Sequence, residues 1–200
     1  MKFMLLATLA SFSLAFFTLK EGIGIGDSMP MADAKMKDVS GKFLSLEEVK
    51  EENGTLVIFS CNTCPFVIAT QDRYHEVAKM AKANGLGLMV VNSNEAQRMG
   101  VDSYAAMQDY AKDQNYTFPY VLDNHHALAD AFGATRTPDV FLFDAEDRLV
   151  YKGAIDDSHR DAGAVKEKFL EKAIKHLSQG KAIDPAETKA VGCTIKRVSK

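Results

Sequence analysis

The sequence predicts an α/β fold, a central mixed sheet with helices on both faces. Three observations carry that expectation. Leu56-Val57-Ile58-Phe59 is a short apolar run, half of it β-branched, of the kind that forms a buried strand. A helical pattern (Val67, Tyr74, Val77, Ala78, Ala81) separates it from a second apolar run, Leu86 to Val91, and strand–helix–strand order implies a parallel crossover. Near the C-terminus, Val165, Phe169, Ala173 and Leu177 recur at helical spacing among lysines and glutamates, a stripe suited to covering a sheet face. Two hundred residues suffice for one domain with a substantial core.

Residues 1–20 stand apart. Lys2 is followed by an apolar stretch from Phe3 to Phe17, broken only by Thr8, Ser11 and Ser13, the pattern of a secretory leader. The stretch is slightly short for a spanning helix of about 20 residues, so an uncleaved N-terminal anchor is the second reading. Export into a compartment that permits disulfide chemistry, periplasmic or extracellular, is the expectation. The remaining residues, 21–200, read as one domain with an extended C-terminal tail.

Within that domain, glycines at 22, 24 and 26 make a flexible opening segment. Met36 to Leu46 encloses Asp38-Val39-Ser40-Gly41-Lys42, a turn between short extended runs, which predicts a hairpin. Ser45 with Glu48 three residues on is a capping box for a short helix to about Glu52. The helix after the first buried strand should close at Asn84-Gly85. Asn92 to Gly100 is polar and loop-like, and a helix from about Ser103 to Gln114 follows, with Asp102 as its cap. Phe118 to Leu122 predicts a strand, and Ala127 to Phe132 a short helix stopped by Gly133. Val140 to Phe143 and Arg148 to Lys152, joined by Asp144-Ala145-Glu146-Asp147, predict a second hairpin. Gly180 ends the last helix.

The chemistry centres on Cys61-Asn62-Thr63-Cys64-Pro65, directly after the first buried strand. Proline is tolerated in the first turn of a helix, where its missing N–H costs nothing. Strand, Cys-x-x-Cys, helix therefore brings Cys61 to a helix N-terminus, where free N–H groups stabilise a thiolate. A thiolate attacks disulfides, and a second thiol three residues on resolves the mixed disulfide. Cys61 is thus the expected exposed nucleophile and Cys64 the resolving thiol buried behind it. A zinc site is the plainer reading, but it needs two further ligands from Cys193, His125 and His126. The net charge of −3 gives no footprint for nucleic acid.

The motif resembles the active-site turn of thioredoxin-fold proteins. Residues 26–196 resemble the redoxins, the peroxiredoxin-like branch of the alkyl hydroperoxide reductase and thiol-specific antioxidant superfamily. The resemblance implies the redoxin variant of the thioredoxin-like fold and a thiol–disulfide oxidoreductase with no cofactor and no metal. It implies that Thr137-Pro138 is a cis peptide facing the cysteines; otherwise a proline opening an apolar strand reads as the start of an edge strand. Cys61, Cys64 and Pro138 are then the catalytic set, and Asn62, Thr63 and Thr137 the client-contacting residues. The Thr137 backbone would pair with an extended client peptide. Disulfide- or dithiol-containing client proteins and a separate redox partner are the implied partners.

A thiol-dependent peroxidase is the alternative. Peroxiredoxins place a proline seven residues and a threonine three residues before the reactive cysteine; here Gly54 and Ile58 precede Cys61 at those positions, and Pro138 stands where their arginine would. The donors that would polarise a peroxide are missing, with Arg136 the one substitute in reach. A non-catalytic thioredoxin-fold module binding zinc or a partner is the third reading. Glu95 and Asp139 are candidates to move the Cys64 proton. Met99, Met107 and Tyr104 fit either a client groove or helical core positions. Cys193, in Gly192-Cys193-Thr194-Ile195-Lys196, resembles the C-terminal signature of the same branch. It is expected to stay a free, packed thiol while Cys61 and Cys64 form the disulfide; the second reading makes it a third redox group that exchanges with Cys61 when the tail folds over the turn.

Overall fold

The computed structural model describes residues 22–199, so the expected leader lies outside the described residues. Among the described residues, β1 (Met36–Asp38) and β2 (Phe43–Leu44) form the first hairpin, and α1 (Leu46–Val49) follows. Next come β3 (Thr55–Ser60), α2 (Pro65–Ala69), α3 (Gln71–Ala83), β4 (Gly87–Asn92), α4 (Tyr104–Asp113), β5 (Tyr120–Leu122) and α5 (Ala127–Phe132). The chain closes with β6 (Arg136–Thr137), β7 (Asp139–Phe143), β8 (Leu149–Gly153), α6 (Phe169–Ser178) and β9 (Cys193–Thr194).

Seven of the strands make one sheet in the order β2-β1-β5-β4-β3-β7-β8, and β6 and β9 form a separate two-stranded ribbon. β3 runs parallel to β4 and antiparallel to β7, so the sheet is mixed, as expected. All six residues of β3 are buried. Leu56 and Ile58 enter a core shared with Tyr74 and Val77 of α3, Met107 of α4, and Leu170 and Ile174 of α6. Val57 and Phe59 point into the opposite core, with Leu46 of α1 and Leu128 and Phe132 of α5. Helices cover both faces, which explains why this strand reads as continuous apolar sequence without alternation.

Four expectations are corrected in detail. The helix after the cysteines is two helices broken at Thr70, whose φ/ψ of −105°/5° leaves the helical region. The Thr70 hydroxyl donates to the carbonyls of Phe66 (2.9 Å) and Val67 (3.0 Å), replacing the backbone bonds a continuous helix would make. α1 stops at Val49, because Lys50 is already extended. α6 begins at Phe169 and buries Leu170, Ala173 and Ile174, leaving Val165 outside the helix and Leu177 only half-buried. The cap of α4 is Ser103, which accepts from the Ala106 N–H at 3.2 Å, and Asp102 turns elsewhere.

The Phe59 ring stands edge-on to Phe132 and Phe141, at centroid distances of 5.4 and 5.6 Å. Phe59→Ala should therefore lower the unfolding free energy by about 3–5 kcal/mol, visible as a fall in the urea midpoint. A loss below about 1 kcal/mol, the size of an ordinary substitution, would mean that this cluster does not support the sheet.

Candidate active site

β3 ends at Ser60, and the next four residues carry the chain from the sheet to the first turn of α2. Cys64 is the N-cap of α2 and Pro65 its first residue, as the missing proline N–H permits. Cys61 and Cys64 are both buried, 2% and 3% exposed, so Cys61 is not the exposed thiol expected from the sequence. Of the two residues between them, Thr63 faces solvent and Asn62 is buried.

What covers the sulfurs comes from far along the chain. Thr137-Pro138 is a cis peptide, and Thr137 lies against both cysteines. Its hydroxyl is 3.4 Å from Cys61 Sγ, and its carbonyl accepts from Cys64 Sγ at 3.2 Å. The Thr137 backbone is not free for a client: β6 pairs antiparallel with β9, Thr137 opposite Cys193. Gly192 makes this approach possible, since a Cβ there would fall 2.1 Å from the Thr137 carbonyl oxygen. Cys193 is half-buried and packs on the core that contains Cys61 and Cys64.

The two buried thiols act on each other. Their mutual hydrogen bond holds the Cys61 thiol well above its ordinary value, and burial pushes in the same direction. The same interaction pulls Cys64 below its ordinary value, with the Val67 and Cys193 amides and the Cys193 side chain pulling in the same direction. Cys64 is the N-cap residue of α2 and makes no side-chain capping hydrogen bond there. A single proton can lie on either sulfur, and with it on Cys64 that thiol donates to the Thr137 carbonyl.

A residue read from the sequence as a helix cap belongs to this site. Asp102 is fully buried, and its Oδ1 accepts from the Asn62 backbone N–H at 2.9 Å and from Asn92 Nδ2 at 2.8 Å. Its Oδ2 accepts from Asn94 Nδ2 at 2.9 Å. Tyr120 Oη donates to Asn62 Oδ1 (2.8 Å), and Asn62 Nδ2 donates to the Val101 carbonyl (2.8 Å). The turn is thereby fixed through both the backbone and the side chain of Asn62. Asp102 is also the carboxylate whose charge bears on Cys61, holding its thiol up. The available signal was two adjacent capping residues, Asp102 and Ser103, before a helix that needs one.

The other candidates separate. Glu95 accepts from the His125 N–H (3.1 Å) and Arg98 Nε (3.4 Å), which engages it away from the cysteines. Asp139 is buried at the start of β7, opposite Phe59, and accepts from the Thr135 N–H at 3.2 Å. Burial pushes its carboxyl up to about 7. Met107 is core, Tyr104 is half-buried with its hydroxyl on the Asp38 carbonyl (2.8 Å), and Met99 is fully exposed. His126 Nδ1 pairs with Asp130 at 2.9 Å, and Arg136 reaches the Thr194 hydroxyl at 3.0 Å.

A mixed sheet, helices on both faces, and a Cys-x-x-Cys turn at the end of the central strand beside a cis-proline define a thioredoxin-like α/β protein. The chain belongs to the Redoxin family, whose pattern matches residues 25–172. It is similar to the thiol-disulfide oxidoreductase ResA of Bacillus subtilis (strain 168), 25% identical over 138 residues that cover 68% of this chain and 70% of ResA. Among solved structures, the hypothetical protein SMc02350 of Sinorhizobium meliloti 1021 is 32% identical with a TM-score of 0.81, covering 90% of this chain and 97% of its own. An uncharacterized conserved protein of Geobacillus kaustophilus is 31% identical with a TM-score of 0.82, covering 88% and 94%.

Two outcomes are expected from the buried acids. Asp102→Asn removes a charge that holds the Cys61 thiol up and turns an amide donor toward Asn94 or Asn62. Cys61 alkylation should then move to lower pH, and stability should fall by about 1–3 kcal/mol; an unchanged alkylation profile would remove Asp102 from the site. Asp139 titrates higher folded than the carboxylate value of 3.8, so its contribution favours the fold at acid pH and is lost as pH rises toward about 7. At roughly 1.4 kcal/mol per pH unit between those values, wild type should lose about 4 kcal/mol from this group. Asp139→Asn should be free of that loss, and melting curves of the two proteins that stay parallel across this range would refute the assignment.

Proposed function

We propose that this protein is a thiol–disulfide oxidoreductase that cycles Cys61 and Cys64 between dithiol and disulfide. The observation that carries the reading is the pair of buried thiols, Cys61 and Cys64, both resting on the Thr137 peptide. Membership of the Redoxin family and the similarity to a relative named a thiol-disulfide oxidoreductase support it.

Cys61 is the nucleophile in this reading and Cys64 the resolving thiol. Cys64 is held by the Thr137 carbonyl and the Cys193 side chain, and both sulfurs are buried to a similar degree, so a client meets Cys61 only once the segment over the pair moves. Cys61 attacks once its proton has passed to Cys64, whose S–H then lies on the Thr137 carbonyl at 3.2 Å. One sulfur of the client disulfide joins Cys61 and the other leaves as a thiolate. Cys64 then attacks Cys61 of the mixed disulfide, its proton goes to the departing client thiol, and the Cys61–Cys64 bond completes a two-electron transfer. Pro138 and Thr137 shape the contact surface, Asn62 anchors the turn, and Thr63 is the exposed residue of the turn that a client touches.

The clients are proteins that bring a disulfide or a dithiol, and a separate redox partner resets the pair. A client strand that pairs with Thr137 must first displace β9, which holds that edge in the resting protein. The apolar segment from Phe3 to Phe17 behind Lys2 supports work outside the cytoplasm, where such clients occur.

An insulin-type disulfide reduction assay tests the reading. Wild type should turn over with a dithiol donor, Cys61→Ser should fall to background, and Cys64→Ser should accumulate mixed disulfides with the client through Cys61. Mixed disulfides trapped instead by Cys61→Ser would exchange the two roles, and wild type inactive with every dithiol donor would refute the function.

A further inference from the structure

The C-terminal tail is built into the site with more contacts than a surface segment needs. The Ile195 N–H donates to the Thr135 carbonyl (3.1 Å), the Lys196 N–H to Asn94 Oδ1 (2.8 Å), and the Ala96 N–H to the Lys196 carbonyl (2.8 Å). Ile195 is buried in the second core, and Arg197 donates to Asp130 at 2.7 Å and to the Ala134 carbonyl at 2.6 Å. These anchors set β9 against the Thr137 peptide in the antiparallel pairing that strand addition would give a client. The cysteine of that strand stands opposite Thr137, whose carbonyl is 3.2 Å from Cys64 Sγ. The tail therefore has the geometry of a substrate strand that presents its own thiol to the redox pair.

We propose that Cys193 is a third redox thiol of this site, exchanging with the Cys61–Cys64 disulfide by attack on Cys64 and so locking β9 over the Thr137 edge. The proposal rests on the dithiol reading above, because that reading supplies the disulfide that is exchanged. In the step, the Cys193 sulfur bonds to Cys64, the Cys61–Cys64 bond breaks, and the Cys193 proton ends on the departing Cys61 thiolate. One disulfide and one thiol become one disulfide and one thiol, so no further oxidant is consumed. A dithiol partner reduces either form by the same two electrons.

Cys64 is the sulfur that Cys193 faces: both the side chain and the amide of Cys193 act on it, and the Cys193 thiol is itself held up to about 11 by burial and by its hydrogen bond to Cys64. A thiol held protonated is a slow nucleophile near neutral pH, so the exchange should quicken as pH rises. The consequence for the protein is a choice of two oxidised forms. With Cys61–Cys64 closed, β9 is held by non-covalent contacts only and a client strand can replace it. With Cys64–Cys193 closed, the client edge is covered covalently and Cys61 is left as a thiol. This revises the sequence-based expectation that Cys193 stays free in the oxidised protein.

The test is disulfide mapping by mass spectrometry after oxidation of the full chain with oxidised glutathione, acid quench and alkylation. Wild type should yield both Cys61–Cys64 and Cys64–Cys193 peptides, with alkylated Cys61 rising in step with the second. Cys61→Ser should close Cys64–Cys193 under oxidation that fully converts wild type. Gly192→Ala, whose Cβ would collide with the Thr137 carbonyl, should lift β9 and cut the Cys64–Cys193 yield by about tenfold or more through lost effective concentration. Cys64 and Cys193 remaining separately alkylated or glutathionylated in Cys61→Ser would overturn the proposal while a wild-type Cys61–Cys64 bond leaves the dithiol reading intact. If Cys61→Ser does not fold, as judged by circular dichroism, the Gly192→Ala comparison decides, and equal yields in it and wild type overturn the proposal. Wild type that forms no disulfide at any pair overturns both readings together.

Discussion

The Thr137 peptide is where the structure converges. Its hydroxyl meets Cys61, its carbonyl meets Cys64, its backbone pairs with Cys193, and its bond to Pro138 leads into β7 beside the central strand. Two thiols buried to 2% and 3% exposure lose most of their contact with water. A sulfur anion in that position must be held by protein donors or it reprotonates. The donors come from the other cysteine, the Val67 and Cys193 amides and the Thr137 hydroxyl, so charge on the pair depends on segments that meet only at Thr137.

A second set of bonds keeps those segments in register. Asp102 holds the Asn62 amide, Asn92 and Asn94, and Asn94 in turn holds the Lys196 amide in the tail. Arg98 adds bonds to the carbonyls of Asp102 (2.8 Å) and Asn92 (2.9 Å). This satisfies a polar cluster in a dry interior, where a missing partner would be costly, and it ties the cysteine turn to the tail through two side chains. The tail beyond β9 and the cysteine turn thus share one hydrogen-bond network.

A buried pair that shares a proton differs from a pair with one exposed, permanently ionised thiol. The exposed arrangement reacts with any disulfide that arrives. In the buried arrangement, access joins thiolate character in deciding what such a thiol can meet. The exposed positions near the turn are Thr63, Val101 at 48% and Ile68 at 56%.

Much of this was legible in the sequence, and the division has a physical basis. Strand order, the helices on both faces and the Cys-x-x-Cys turn at a helix start follow from local rules: apolar periodicity, proline at the first helical position, and glycine at helix ends. The pairing of Thr137 with the cysteines was reached only through resemblance, since no local pattern relates residues so far apart in the chain. Thr70 misled because its hydroxyl competes with the backbone of its own helix, a choice that spacing does not encode. Asp102 misled because a carboxylate before a helix satisfies the cap rule equally well whether it turns outward to the helix or inward to Asn62. The burial of Cys61 and the place of Cys193 were decided by tertiary structure alone. Residue type made Cys61 a thiol at a helix N-terminus, but its exposure depends on what packs against it, and that is Thr137, 76 residues further along the chain, itself paired with a tail anchored by hydrogen bonds to Thr135, Asn94 and Ala96.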